Sequence, residues 1–378
     1  MTERADVAAI CDELERVYDE GAYPRLEVTR PWSEHNPVIS GELARPSALR
    51  GYLERELTEL ADAGALIRVV DARPRFDLND PALLHGADES AWDLKRKKLF
   101  LFPAERMELS LERLVHYTGS NPSDFQRYVL LTNYDMHVEA FCEAFDDVAM
   151  PAPGAQMPAY HAVGEEGSGV SLVNIGVGPS NAKTLTDHVA VLRPDLLLMI
   201  GHCGGLRNRQ DIGDFVLART FLRADRVLDH ALGVHIPVVS NHHVNTALYE
   251  ALDRRGLPYR FGAVYTTADR NWELHLSSAM ADIEASRAVA VDMESATVAA
   301  NGFRYRIPNA TLLCVSDKPL HGRPKLGAEA QLFYQRSKKV HVEMALEAVD
   351  ALRRRYPRGI PNSDIRSTDE PLMSGPPD

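Results

Sequence analysis

Four side chains late in the chain have the types and spacing of an acid–base site. The stretch Ala288–Gly322 reads AVAVDMESATVAANGFRYRIPNATLLCVSDKPLHG. Two apolar runs in it, Ala288–Val291 and Ala310–Val315, break abruptly: Asp292 and Glu294 follow the first, Ser316 and Asp317 the second. In α/β proteins ligands sit at the carboxyl ends of buried strands, so polar residues there are site candidates. Two carboxylates brought to one rim on separate strands can hold a hydroxylated substrate and move a proton. An aspartate just past a buried run is poorly solvated, which raises its pKa and suits Asp317 to proton donation. A helix cap or a salt bridge to Lys318 is the structural alternative. Glu294, at the start of a helix, is favoured by the dipole alone. A carboxylate also accepts both O–H donors of a vicinal diol, and Met293 beside it offers an apolar platform for a sugar.

Two glycine-rich segments belong to the same constellation. Asn174-Ile175-Gly176-Val177-Gly178-Pro179-Ser180-Asn181 lies between a strand and a helix. Glycines there let backbone amides approach a ligand, and a helix N-terminus favours an anion. It is not a dinucleotide fingerprint, which would need glycine at Asn181. A tight structural turn is the alternative. Gly201-His202-Cys203-Gly204-Gly205 follows a buried run, where three glycines mean close packing or close approach of a flat ligand. His202 is either a ligand contact or a satisfied structural histidine.

The elements that must position these residues follow from periodicity. Strands are expected at Tyr128–Thr132, Val170–Ile175, Leu196–Ile200, Phe215–Ala218, Pro237–Ser240, Gly262–Thr266, Ala288–Val291 and Thr311–Val315. Helices intervene, among them Pro179–Leu192, one after Thr132 running through Phe145, and a last one from Ala328 to Arg355. Strands alternating with helices indicate an α/β domain with a mixed central sheet flanked by helices over residues 124–356. A smaller α+β N-terminal domain, residues 1–123, precedes it. Its sequence predicts an amphipathic helix within residues 1–20 and another over 46–65, opening on Pro46. Tyr23–Ser40 reads as extended or looped and residues 72–100 as irregular, with the basic cluster Lys95–Lys98 a solvated face. Residues 357–378 read as a loosely ordered tail.

Composition bounds the function class. The 378 residues carry 45% hydrophobic side chains, enough for a full core, and a formal net charge of −12. That balance argues against a nucleic-acid or anionic-membrane binder. No apolar run reaches the roughly 20 residues needed to span a bilayer. The cysteines, Cys11, Cys142, Cys203 and Cys314, form no CxxC pair, which suits reduced thiols in a cytoplasmic protein and gives no metal signature. No metal or other cofactor is expected.

In this order and spacing the four pieces resemble the nucleoside phosphorylase and nucleosidase superfamily over roughly residues 125–355. The match is nearly word for word, in LVNIGVGPSNAKT, MIGHCGGLR, TTADRNWEL, VDMESATVAA and LLCVSDKPLHG, to the members that cleave AMP. LERLVHYTG (Leu111–Gly119) and the Thr132–Tyr134 triplet extend it. The resemblance implies that Glu294 binds the ribose hydroxyls with Met293 under the sugar, and that Asp317 acts at purine N7. Cys203 and Gly204 would line the base, Asn271 or Trp272 would cover it, and Gly178 and His202 would complete the pocket. Those members carry an N-terminal domain, here shorter than expected, with residues 72–100 the trimmed stretch.

The resemblance also separates hydrolase from phosphorylase. Positions where phosphorylases place phosphate-binding arginines are Met199 and the Thr132–Met136 loop here, and their phosphate-binding serine is His202. A dianion needs charge-assisted donors, so water is the expected nucleophile. The implied reaction is hydrolysis of AMP to adenine and ribose 5-phosphate. His137 aligns with the water-activating glutamate of related nucleosidases. For the 5′-phosphate the candidates are Arg207, Arg270, Lys318 and His321, with Arg30, Arg45, Arg50 and Tyr117–Gly119 further ones. A homohexamer built from dimers is implied by the family. Alternatives are a purine nucleoside phosphorylase, an adenosine-type nucleosidase, or a non-catalytic nucleotide sensor on the same scaffold.

Overall fold

The structure, a computed structural model, describes residues 6–29, 38–76, 99–323 and 327–362. Lys95–Lys98, Arg30 and the tail beyond Asn362 lie outside the described residues. The chain divides into two compact units. One falls within Met1–Val115 and takes in Val191–Arg193; the other comprises His116–Ala190 and Pro194–Ser363.

The first unit is α+β. Helix α1 (Val7–Asp19) starts where the Asp6 carboxylate accepts the N–H groups of Ala8 and Ala9, and it buries Cys11, Leu14 and Val17 on one face. Strands β1 (Ala22–Thr29), β2 (Val38–Glu42) and β3 (Leu66–Pro74) form an antiparallel sheet in the order β2-β1-β3. Helix α2 (Arg50–Asp62) follows a 3₁₀ turn that opens on Pro46, as its sequence predicts. The strands β1 and β3 were not resolved by periodicity. β1 contains Pro24 beside a bulge, and β3 is exposed along much of its length, so neither shows clean alternation. Helix α3 (Ala104–Thr118) carries the LERLVHYTG segment.

The second unit is built on a mixed eight-stranded sheet. Its strands are β4 (Tyr128–Thr132), β5 (Ala159–Ala162), β6 (Val170–Asn174), β7 (Leu196–Gly205), β8 (Phe215–Arg223), β9 (Tyr259–Thr266), β10 (Ala290–Asp292) and β11 (Asn309–Asp317). The order is β10-β9-β8-β11-β7-β4-β6-β5, and β10 pairs also with β7, so this end of the sheet closes on itself. Both faces are covered by α4 (Asp135–Glu143), α5 (Pro179–Val189), α6 (His242–Arg254), α7 (Leu276–Ser286), α8 (Ser295–Arg304) and α9 (Gly327–Arg355). All ten residues of β7 and all nine of β11 are buried, which is why they read as unbroken apolar runs.

Three expectations change. Pro237–Ser240 is not a strand: Val239 makes a lone bridge to Thr220, and Pro237 has no N–H to extend a ladder. The strand expected over Leu196–Ile200 runs on through Gly205 as β7, where Gly204 and Gly205 pair antiparallel with Val291 and Ala290. A short strand, β5, was not expected; four residues give no periodicity to read.

Candidate active site

The acidic residues of the opening stretch arrive at one cavity of about 550 Å³. Its lining includes Asp292, Met293 and Glu294 from the β10–α8 junction, Ser316 and Asp317 from the end of β11, and His202, Cys203 and Gly204 from β7. Asn133 and Tyr134 follow β4, while Arg270, Asn271 and Trp272 come from the loop after β9. The volume lies within the roughly 300–1,000 Å³ typical of small-molecule sites.

Glu294 and Asp292 divide the charge between them. Asp292 caps α8: it accepts the Thr266 hydroxyl at 2.6 Å, the Ser295 N–H at 2.9 Å and the Ser295 hydroxyl. Burial raises its carboxyl above the ordinary range, and those donors pull the other way. Glu294, 3% exposed, accepts the Gly178 N–H at 2.6 Å. Burial and then the nearby Asp292 charge push its carboxyl well above the ordinary range, while the Gly178 and Asn133 donors pull the other way. Gly178 holds φ +107° at the start of α5, a conformation open to glycine. The glycine turn therefore serves the carboxyl of Glu294, itself the acid at that helix N-terminus.

Asp317 is placed by a register shift. Val315 pairs with Cys203 and Asp317 with Gly204, so Ser316 is the extra residue of a bulge that re-aims the last side chain of β11. The Ser316 hydroxyl donates to Asp317 Oδ1 at 2.6 Å. A Cβ on Gly204 would stand 2.9 Å from Val291 and 3.4 Å from Asp317 Oδ2. Close strand packing and close approach to the site thus both require glycine there.

The remaining expected residues distribute as follows. Met293, Cys203, Gly204, His202, Asn271, Trp272 and Arg270 line the cavity. Arg270 is exposed, and it is the single Lys or Arg among the described lining residues. Gly178 acts through Glu294. Lys318 is buried with its ammonium on the Asn208 carbonyl at 2.9 Å, the Arg207 N–H is taken by Gln210, and His321 is exposed; none of the three lines the cavity. His137 is fully buried and does not line it either; burial holds its pKa well below the usual imidazole range. Its Nδ1 lies 2.7 Å from Thr132 Oγ1. In the first unit Arg45 pairs with Glu108 and Glu112, and Arg50 with Asp12, Glu15 and Glu54. The Tyr117 and Gly119 carbonyls receive the Met157 and Ala152 N–H groups. Asn133, Tyr134 and Asp292 are site residues whose roles were not read from sequence, although the β4-end triplet and the DMES motif both flag the positions.

The profile of the phosphorylase superfamily matches residues 127–350. The chain is 39% identical to the AMP nucleosidase of Escherichia coli (strain K12) over 442 aligned positions, covering 95% of this chain and 91% of the relative. That alignment is longer than the chain itself, so the relative carries stretches absent here. Among solved structures, the AMP nucleosidase of Bacteroides thetaiotaomicron superposes with a TM-score of 0.57 at 27% identity, covering 67% of this chain and 99% of that one. The 5′-methylthioadenosine/S-adenosyl homocysteine nucleosidase of Campylobacter jejuni gives 0.53 at 19% identity, covering 60% of this chain and 100% of that one, and shows the fold alone. With more than half of its residues matched by the superfamily and nearly all of them aligned to the Escherichia coli relative, the chain belongs to the phosphorylase superfamily, in its AMP nucleosidase family.

Proposed function

We propose that the chain hydrolyses the N-glycosidic bond of AMP, releasing adenine and ribose 5-phosphate. The observation that carries this reading is the convergence of Glu294 and Asp317 on one cavity, with Arg270 the one arginine among its described lining residues and a family match over 95% of the chain behind it. Cleavage passes through an oxocarbenium-like transition state. Electrons of the C1′–N9 bond go to the purine and Asp317 donates a proton at N7 so that adenine leaves neutral; water adds at C1′ and the proton it loses restores the Asp317 acid. Glu294, ionised when the diol docks, accepts the two ribose hydroxyls and stabilises the charge growing on the ring. Met293 lies under the sugar, Cys203 and Gly204 beside the base, and Asn271 and Trp272 over it. Arg270 is placed for the 5′-phosphate.

A dissociative reaction asks for a positioned water more than a strong base. His137 does not reach the cavity, and His202 is the imidazole on its wall. Among the described lining residues Arg270 alone offers permanent positive charge, and a substrate phosphate would occupy it, leaving no second seat for inorganic phosphate. We place the enzyme in the cytoplasm, in purine salvage, as a homohexamer built from dimers. No helix among the described residues is long and apolar enough to cross a membrane. The test is product analysis. In phosphate-free buffer AMP is expected to yield adenine and ribose 5-phosphate at a rate that added phosphate does not raise. A phosphate-dependent reaction giving a sugar 1-phosphate would overturn the reading.

A further inference from the structure

Behind the cavity wall, outside the chemistry just described, three histidines from distant parts of the chain meet. They are His137 on α4, His202 on β7 and His341 on α9, all buried. Their ring centroids are 5.2 Å apart for 137–202, 4.8 Å for 137–341 and 5.6 Å for 202–341. One ring nitrogen from each lies within 4.8 Å of the other two. Tyr134 packs edge-on to His202 and Phe215 edge-on to His341, walling the cluster with aromatic rings.

Each of two rings is held by one nitrogen and bare at the other. His341 Nε2 lies 2.9 Å from the Leu312 carbonyl. A carbonyl only accepts, so Nε2 carries the proton and Nδ1 keeps its lone pair. His137 Nδ1 is held by Thr132 Oγ1 at 2.7 Å. His341 Nδ1 and His137 Nε2 have no hydrogen-bond partner among the described residues. An imidazole anchored at one nitrogen by a carbonyl or hydroxyl, with the other turned inward, is how proteins orient histidine ligands of a metal.

We propose that His137, His202 and His341 form a binding site for one divalent transition-metal ion of the zinc class. Neutral imidazole is a preferred donor for such ions. With Zn–N bonds of about 2.0–2.1 Å, three imidazoles on one tetrahedral ion place their ring centroids roughly 5 Å apart. The centroids here already span 4.8 to 5.6 Å; the His137 and His202 rings lie 18° from parallel, so one of the two must rotate to aim its nitrogen at a shared ion. Three protein donors leave a fourth position open. His202 is the member that also lines the substrate cavity, so the ion sits one side chain behind that wall. The proposal is independent of the assignment of the reaction.

The competing account is a packed cluster of neutral histidines that binds nothing. The test uses the full chain, stripped with chelator and titrated with Co(II). The expected result is one equivalent bound, with the strong visible absorption of a four-coordinate site. Zinc-loaded protein should likewise retain one zinc per chain through gel filtration. His341→Ala, and separately His137→Ala, should weaken Co(II) binding by about tenfold or more. A buried-site variant can fail to fold, so titration of the unsubstituted chain decides alone. Only weak six-coordinate absorption, or zinc well below one per chain, overturns the proposal, as does unchanged binding by a folded variant.

Discussion

At the scale of single residues, two carboxyl groups meet the same solvent-poor cavity with different tasks. Asp317 is 8% exposed and receives the Ser316 hydroxyl, so it is held in one orientation. If it serves the leaving purine, Asp317→Asn keeps the shape and a hydrogen bond but has no proton to give. General acid assistance is worth about 10²–10⁴-fold. The expected outcome is a kcat about 100-fold lower or worse with KM for AMP changed only a few-fold, read from steady-state kinetics. Near-normal kcat would remove Asp317 from the mechanism. Glu294 differs because its carboxyl is raised from the ordinary 4.5 to about 8 by burial and by Asp292. A raised acid contributes stability that is fully present below its unfolded pKa and is lost as pH rises through the folded one. Glu294→Gln mimics the neutral carboxyl and lacks that loss. Chemical denaturation of both chains from about pH 5 to about pH 9 should show the variant gaining relative stability as pH rises. Parallel stability curves would mean Glu294 is not the strained partner of the pair.

At the scale of elements, the site depends on how closely β7, β10 and β11 approach. Gly204 faces Val291 across the antiparallel pairing and sits under Asp317, and an added methyl would meet Val291 at 2.9 Å. Overpacking of this kind costs about 1–3 kcal/mol. Gly204→Ala should therefore lower the denaturation midpoint by that amount. It should also depress kcat, because β10 and Asp317 are displaced together. A variant with unchanged midpoint and kcat would show that the strands tolerate separation there. Much of this was legible beforehand, for a physical reason: strands buried on both faces read as apolar runs, and their polar ends mark the rim. What was missed shares a cause too. β7 was expected to stop at Ile200 because its apolar run ends there, whereas Gly201–Gly205 continue the strand and let its neighbours close up. Asp292 showed in the sequence only as a polar strand end, and it holds the start of α8 through Ser295; only its donors reveal that. The histidine cluster is invisible in sequence, since α4, β7 and α9 bring together residues far apart along the chain.

At the scale of the molecule, the cavity belongs to a unit with buried clusters of its own. One buried cluster runs from Tyr128 through Leu198, Leu248 and Leu312 to Leu352 and Ile360, all within His116–Ala190 and Pro194–Ser363. Three smaller clusters around Val264, Trp272 and Leu228 lie in the same span. Each buried Leu, Val, Ile or Phe contributes on the order of 1.5–3 kcal/mol against the entropy of ordering. Every described lining residue of the cavity falls between Asn133 and Asp317. The first unit's arginines that were candidates for the 5′-phosphate and lie among the described residues, Arg45 and Arg50, are engaged by that unit's own carboxylates. A chain trimmed to residues 116–363 is therefore expected to unfold in one cooperative calorimetric transition and to keep measurable AMP hydrolysis. A trimmed chain with no transition would show that its core needs the first unit. A folded but inactive one would mean that the N-terminal unit supplies a group to the site, and the phosphate contact assigned to Arg270 would have to be sought there.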